Sequence, residues 1–159
     1  MNPKKYSKSF LLITFIVLFS GGATVFWKHS SLLKKRGVVQ ELVDVVKNKN
    51  TIIEVHSGSA IMGAVTFSIP EIDHHLHNIH VNGAEHELST HLQSILNQNI
   101  HSRVKINALY ALREVSEYSG TNEAQLAFLA NKFINDSDIR VRRIASSILK
   151  TIDKNDSPL

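Results

Sequence analysis

The C-terminal half of the chain repeats itself with a period of 37 residues. The superposed pairs keep their order and their residue types: Leu92 with Leu129, Leu96 with Phe133, Arg103 with Arg140, Val104 with Val141, Lys105 with Arg142, Ala108 with Ala145 and Leu112 with Leu149. Within each copy the apolar residues recur every three or four positions, which predicts amphipathic helices. A helical hairpin repeated in tandem can cover its apolar face only against the next copy. The repeat therefore predicts two hairpins stacked side by side.

The second copy also carries a recognisable motif. An acidic turn is followed by Val-Arg, then by Ala and Leu at helical spacing, in the set Asp136, Asp138, Val141, Arg142, Ala145 and Leu149. This pattern resembles the second half of a HEAT-type repeat, of the variety found in bacterial phycobilisome-lyase-like repeat proteins. The first copy departs from it, because Asn99 and His101 stand where acidic residues would be.

The resemblance covers roughly residues 86–152, within a predicted domain of two HEAT-like repeats over residues 84–152. It implies an all-α fold containing a short HEAT-like α-solenoid. It also implies that Arg142 pairs with Asp136 or Asp138 as part of the architecture. Such repeats serve mostly as scaffolds that bind other proteins. The implied role is therefore a non-catalytic interaction scaffold or adaptor.

Residues 28–83 do not share the period, yet they contain two further helical patterns. One is an amphipathic helix over about 28–50, and the other begins at Pro70 and ends at Gly83. Since about three repeats are normally needed to bury a continuous core, we predict a divergent helical cap here. The alternative is that the end of the stack packs on another chain. Residues 51–69 are ambiguous, because Val65, Phe67 and Ile69 alternate as in a strand, whereas residues 60–65 could equally form a short buried helix.

An uncharged apolar run over residues 10–27 follows three lysines. A run of this length suits a single transmembrane helix, a secretory signal or a buried core helix. We expect residues 1–27 to anchor the protein in the inner membrane of a bacterial-type cell, with the C-terminal domain in the periplasm. The alternative is a secreted or periplasmic protein released by signal cleavage. Residues 153–159 are predicted to be a flexible tail.

Histidine is abundant and clustered, with nine in the chain and six of them within residues 74–91. His74, His77 and His80 are spaced by three, so neighbouring pairs share a helix face and could chelate Zn²⁺ or Ni²⁺. A solvated polar face and a proton-sensing patch are the alternatives. The chain has no Cys, which excludes thiolate metal sites and cysteine nucleophiles. The alternative function is therefore the binding of a divalent metal ion by this His-rich segment in a periplasmic protein.

Basic residues at the start of each second helix form the candidate partner-binding set: Arg103, Lys105, Arg140 and Arg143. They would attract an acidic protein or, less favourably, nucleic acid. No Gly-x-Ser-x-Gly elbow, His-Glu-x-x-His motif or phosphate-binding Gly loop is present. We therefore expect no enzymatic activity, and a membrane-anchored scaffold that binds another protein.

Overall fold

The structure, a computed structural model, describes the backbone of residues 8–57, 65–119 and 123–155, and side-chain surroundings for 28–54, 68–118 and 123–152. Six helices and one two-stranded sheet lie within these ranges. In chain order they are α1 (Lys8–Lys47), β1 (Glu54–Ser57), β2 (Val65–Ser68), α2 (Pro70–Asn82), α3 (Glu85–Leu96), α4 (Ser102–Ser119), α5 (Glu123–Asn131) and α6 (Ile139–Asn155). The chain is thus helical, as the sequence predicts.

The N-terminal part of the predicted fold class is wrong. Helix α1 is continuous over 40 residues, so no boundary separates residues 8–27 from the helix expected over 28–50. Over the residues that the structure describes, no helix combines the length and the apolar character needed to cross a bilayer. The side chains of residues 10–27, on which the predicted anchor or signal rested, lie outside the described ones.

The ambiguous segment before α2 contains a β-hairpin, which the all-α prediction did not include. Strands β1 and β2 pair antiparallel, with Glu54 opposite Ser68 and Ser57 opposite Val65. The strand interpretation of Val65 and Phe67 is therefore the correct one. The short helix considered over residues 60–65 falls largely outside the described residues.

Helix α2 has the bounds that its sequence signals predict. Pro70 occupies the first helical position, where its missing N–H costs nothing. Gly83 follows the helix in the left-handed conformation, at φ 57°, and its N–H donates to the carbonyl of His80. The Nζ of Lys35 on α1 donates to the Gly83 carbonyl at 3.0 Å. The C-terminal end of α2 is thereby tied to α1.

The two repeated hairpins, α3–α4 and α5–α6, stack through contact between α4 and α6. Ala108 on α4 and Ala145 on α6 are fully buried, and small residues at such positions let helices approach closely. Val141 is buried as well, and Leu149 is half-buried against the core. Helix α6 continues to Asn155, so the predicted tail at 153–159 begins too early. Residues 156–159 lie outside the described part.

Helices α1 and α2 cover the other side of the first hairpin, and one polar residue fixes how α1 meets it. The side chain of Asn107 on α4 is fully buried. Its Nδ2 donates to the carbonyls of Val46 and Asn48 at 3.0 Å each, and its Oδ1 accepts from the Thr51 hydroxyl at 3.0 Å. The last carbonyls of a helix lack intrahelical partners. Asn107 supplies those partners to α1 from a neighbouring helix.

Candidate partner-binding edge

The N-termini of α4 and α6 are capped at equivalent positions of the repeat. Asp138 precedes α6, and its Oδ1 accepts the backbone N–H of Arg140 at 2.8 Å. His101 precedes α4, and its Nδ1 accepts the backbone N–H of Arg103 at 3.1 Å. Each side chain satisfies a donor that the helix itself leaves unpaired. The missing acid at His101 therefore does not leave the first turn of α4 uncapped.

Asp136 joins the two hairpins. Its Oδ2 accepts from Lys105 Nζ at 2.6 Å, and its Oδ1 accepts the backbone N–H of Asp138 at 2.9 Å. The Lys105 side chain is 19% exposed and that of Asp136 is 7% exposed. Lys105 was predicted to bind a partner. This residue instead forms an ion pair between the first hairpin and the turn of the second.

Arg142 is structural, but its contacts differ from those that the resemblance implied. Its Nη1 donates to the backbone carbonyls of Asp136 at 2.7 Å and Ser137 at 3.1 Å. The two carboxylates of the turn are taken by other cations, because Asp136 holds Lys105 and Asp138 holds Arg140. Arg142 thus fixes the backbone of the turn and does not neutralise its acids.

The charges of this turn lower the pKa of both carboxyl groups. For Asp138 the leading cause is the hydrogen bond from Arg140, whose Nη2 lies 2.7 Å and whose Nε lies 3.0 Å from the carboxylate oxygens. For Asp136 burial acts to raise the pKa, and the Lys105 and Asp138 hydrogen bonds together outweigh it. Both groups are therefore held ionised well below neutral pH.

The remaining basic residues of the predicted set stay accessible. Arg140 binds Asp138, yet its side chain is still 56% exposed. Arg143 is exposed and Arg103 is half-buried, and neither forms an ion pair with a described residue. Since α4 and α6 lie side by side with their N-termini at the same end, we call Arg103, Arg140 and Arg143 the basic edge. The acids beside the basic edge are already engaged within the molecule.

The predicted metal ligands are not assembled into a site. Within the described residues, which include all six clustered histidines, no three His, Asp or Glu side chains are placed to hold one ion. His74 and His77 are exposed. His80 is half-buried and engaged elsewhere, with its Nδ1 3.1 Å from Glu85 Oε1 and its ring 4.1 Å from that of Tyr118. Each step of three residues rotates the side chain around the helix axis. From His74 to His80 the two steps add up to too large a rotation for all three rings to meet at one metal ion.

Two of the residues described here were not anticipated from the sequence. His101 looked like a departure from the motif, although its ring nitrogen can accept a hydrogen bond as a carboxylate does. Asn107 did leave a signal, because it stands where Ile144 stands in the next copy. A polar residue at a position that is apolar in the other repeat indicates a buried hydrogen-bonding role.

Comparison with known proteins adds no relative: no protein-family model matches the chain, and no curated protein or solved structure shows significant similarity to it. The resemblance to HEAT-type repeats therefore stays a prediction.

Proposed function

We propose that the protein is a non-catalytic, HEAT-like scaffold that binds an acidic segment of another protein along its basic edge. The observation that carries this proposal is the imbalance of ion pairing at that edge. Asp136 and Asp138 are engaged by Lys105 and Arg140, whereas Arg103 and Arg143 form no ion pair with described residues. Guanidinium groups favour carboxylate partners because they can donate two parallel hydrogen bonds.

The rigidity of the edge supports the same role. The helix N-termini that carry Arg103 and Arg140 are capped, and the turn between α5 and α6 is held by Arg142 and Asp136. A surface that is already ordered loses little conformational entropy on association. Binding to a partner then depends on charge and shape and does not require folding of the edge.

The test is crosslinked affinity capture of the full chain from cells that express it. Three forms are compared: the wild type, R103E/R143E, and the control K34E/K150E, which makes the same charge change at exposed sites. We expect R103E/R143E to lose a captured protein by about tenfold or more, with crosslinks in an acidic segment of that protein, while the control retains it. Equal capture by all three forms, or capture that disappears on nuclease treatment, would contradict the proposal.

A further inference from the structure

A groove lies between α3 and α5, and residues of α4 also line it. Its cavity is about 280 Å³. Three buried leucines, Leu112 on α4 and Leu126 and Leu129 on α5, form its apolar lining. The other lining residues are polar and mostly uncharged, among them Ser89 and Thr90 on α3. The groove therefore offers an apolar base between walls that can form hydrogen bonds.

An amide pair crosses this groove. Gln125 Nε2 on α5 donates to Gln93 Oε1 on α3 at 2.9 Å. This single hydrogen bond leaves the Nε2 of Gln93 as a donor and the Oε1 of Gln125 as an acceptor, and neither has a described partner within the protein. A peptide group presents one carbonyl and one N–H, which match that donor and that acceptor. The pair can thus hydrogen-bond the backbone of an extended chain, whatever its sequence.

One end of the groove is acidic. A second cavity of about 200 Å³ adjoins the first, since both are lined by Ser116 and Leu126. Glu117 and Glu123 line this second cavity, and the Glu117 side chain is 50% exposed. Arg113 is the cation of this cavity, but it is bound to Glu114 and lies 4.0 Å from Glu117. Glu114, Glu117 and Glu123 outnumber Arg113, so the net charge of this end of the groove is negative and attracts a basic side chain.

We infer that this groove binds an extended segment of a partner protein in which an apolar residue is flanked by Lys or Arg. The apolar side chain contacts Leu112, Leu126 and Leu129. The peptide group bonds to Gln93 and Gln125, and the basic residue lies near Glu117. This inference rests on the proposed scaffold function, and it assigns a second surface with a different partner chemistry.

The experiment selects randomised decapeptides, displayed on phage, against the full-length chain. We expect the enriched sequences to place a Leu, Ile or Met beside Lys or Arg. The most enriched peptide is then synthesised with a fluorescein label, and its dissociation constant is measured by fluorescence anisotropy. Failure to enrich any sequence, or enrichment of acidic sequences that compete at the basic edge, would overturn the inference.

Variants that change the groove test whether the peptide binds there. Thr90 is exposed and lines the groove, so T90W fills it without altering the core. Ser94 is exposed on the same helix outside the groove lining, and S94W is the matched control. We expect T90W to weaken peptide binding by about tenfold or more and S94W to leave it unchanged. Equal affinities of the two variants would place the peptide elsewhere.

Two further comparisons separate the sources of affinity. Q93M/Q125M keeps side-chain volume and removes the amides, and we expect about a tenfold loss. E117Q should lessen the dependence of binding on salt, whereas the control E71Q, exposed on α2 and outside the lining of both cavities, should not. A concentration-dependent dimer of the wild type that T90W dissociates would assign the groove to a second copy of this chain and refute the inference.

The outcome is independent of the basic-edge test. R103E/R143E should bind the selected peptide with wild-type affinity, because Arg103 and Arg143 do not line the groove. If the peptide experiments fail while R103E/R143E still abolishes capture, the groove assignment is wrong and the scaffold function survives. If no form of the chain, the wild type included, captures a partner, and the selected peptide still binds T90W more weakly than the wild type, the assignment of the basic edge is wrong. The assignment of the groove is then retained.

Discussion

Asn107 is a polar residue that is buried in the core and links α4 to two other parts of the chain. It occupies an apolar position of the repeat, yet its amide joins the end of α1 to the segment that leads into the β-hairpin. Val46 and Thr51 are buried as well, so the Val46 carbonyl and the Thr51 hydroxyl would lack a partner if the amide were removed. A buried polar group without a partner costs more than the hydrogen bond itself contributes.

We expect N107A to lower the free energy of unfolding by about 3 kcal/mol, because two carbonyls and one hydroxyl lose their partner. The exposed Asn135 provides the control, and N135A should change that free energy by less than about 0.5 kcal/mol. Urea unfolding followed by circular dichroism measures both. Equal effects of the two substitutions would mean that Asn107 is not buried against α1.

His101 provides a second prediction for a single residue. Its neutral ring caps α4 where a carboxylate caps α6, and a carboxylate also interacts favourably with the helix dipole. H101D should therefore raise the free energy of unfolding by about 0.5–1 kcal/mol. Thermal unfolding at neutral pH checks the sign. A lower midpoint for H101D than for H101A would show that the first turn of α4 is not capped as described.

Among the elements, the N-terminal turn of α6 has the clearest dependence on pH. The folded pKa of Asp138 lies below its ordinary value of 3.8, because Arg140 stabilises the ionised form. Stability from such a group is present above the unfolded pKa and is lost as the pH falls through the folded pKa. Arg140 is more than half exposed, so solvent screens the pair and its contribution is modest.

D138N should therefore destabilise the protein by about 1 kcal/mol at pH 7, a figure that already allows for this screening. The difference from the wild type should shrink as the pH falls from about 4 towards the folded pKa of Asp138, since the unfolded chain then binds a proton at this carboxyl group that the folded protein does not. Chemical unfolding at a series of pH values measures this difference. A difference that grows on acidification would have the wrong sign for a depressed pKa.

The contact between α4 and α6 gives a packing prediction. Ala108 is fully buried on α4, the helix that contacts α6, and Ala124 is exposed on α5. A108L should cost about 1–3 kcal/mol through overpacking, whereas A124L should be nearly neutral. Differential scanning calorimetry of the two variants tests this. Comparable midpoints would indicate that space remains between the hairpins.

The helices were largely predictable because their apolar residues are periodic, and the bounds of α2 were predictable because Pro70 and Gly83 mark its ends. The β-hairpin was not, because its strands are four residues each and a short apolar run does not distinguish strand from helix. The transmembrane prediction used local hydropathy alone. It did not anticipate that the segment continues without a break into the helix that packs on α2.

For the candidate site, the sequence predicted the types of residue better than it predicted their contacts. The sequence identified the basic residues of the second helices, but it could not show that Lys105 is engaged by Asp136 while Arg103 and Arg143 remain accessible. That distinction depends on how two hairpins are placed relative to each other. The metal interpretation was not supported for a related reason, because spacing along one helix does not determine which rings converge.

At the scale of the whole molecule, every proposal depends on the two repeated hairpins lying side by side. Lys105 belongs to the first hairpin and Asp136 to the turn of the second, and their charged groups are 2.6 Å apart. A double-mutant cycle of K105M and D136N, measured by urea unfolding of the full chain, reports that proximity directly. We expect a coupling free energy of about 1–2 kcal/mol. A coupling within about 0.3 kcal/mol of zero would contradict the stacked arrangement.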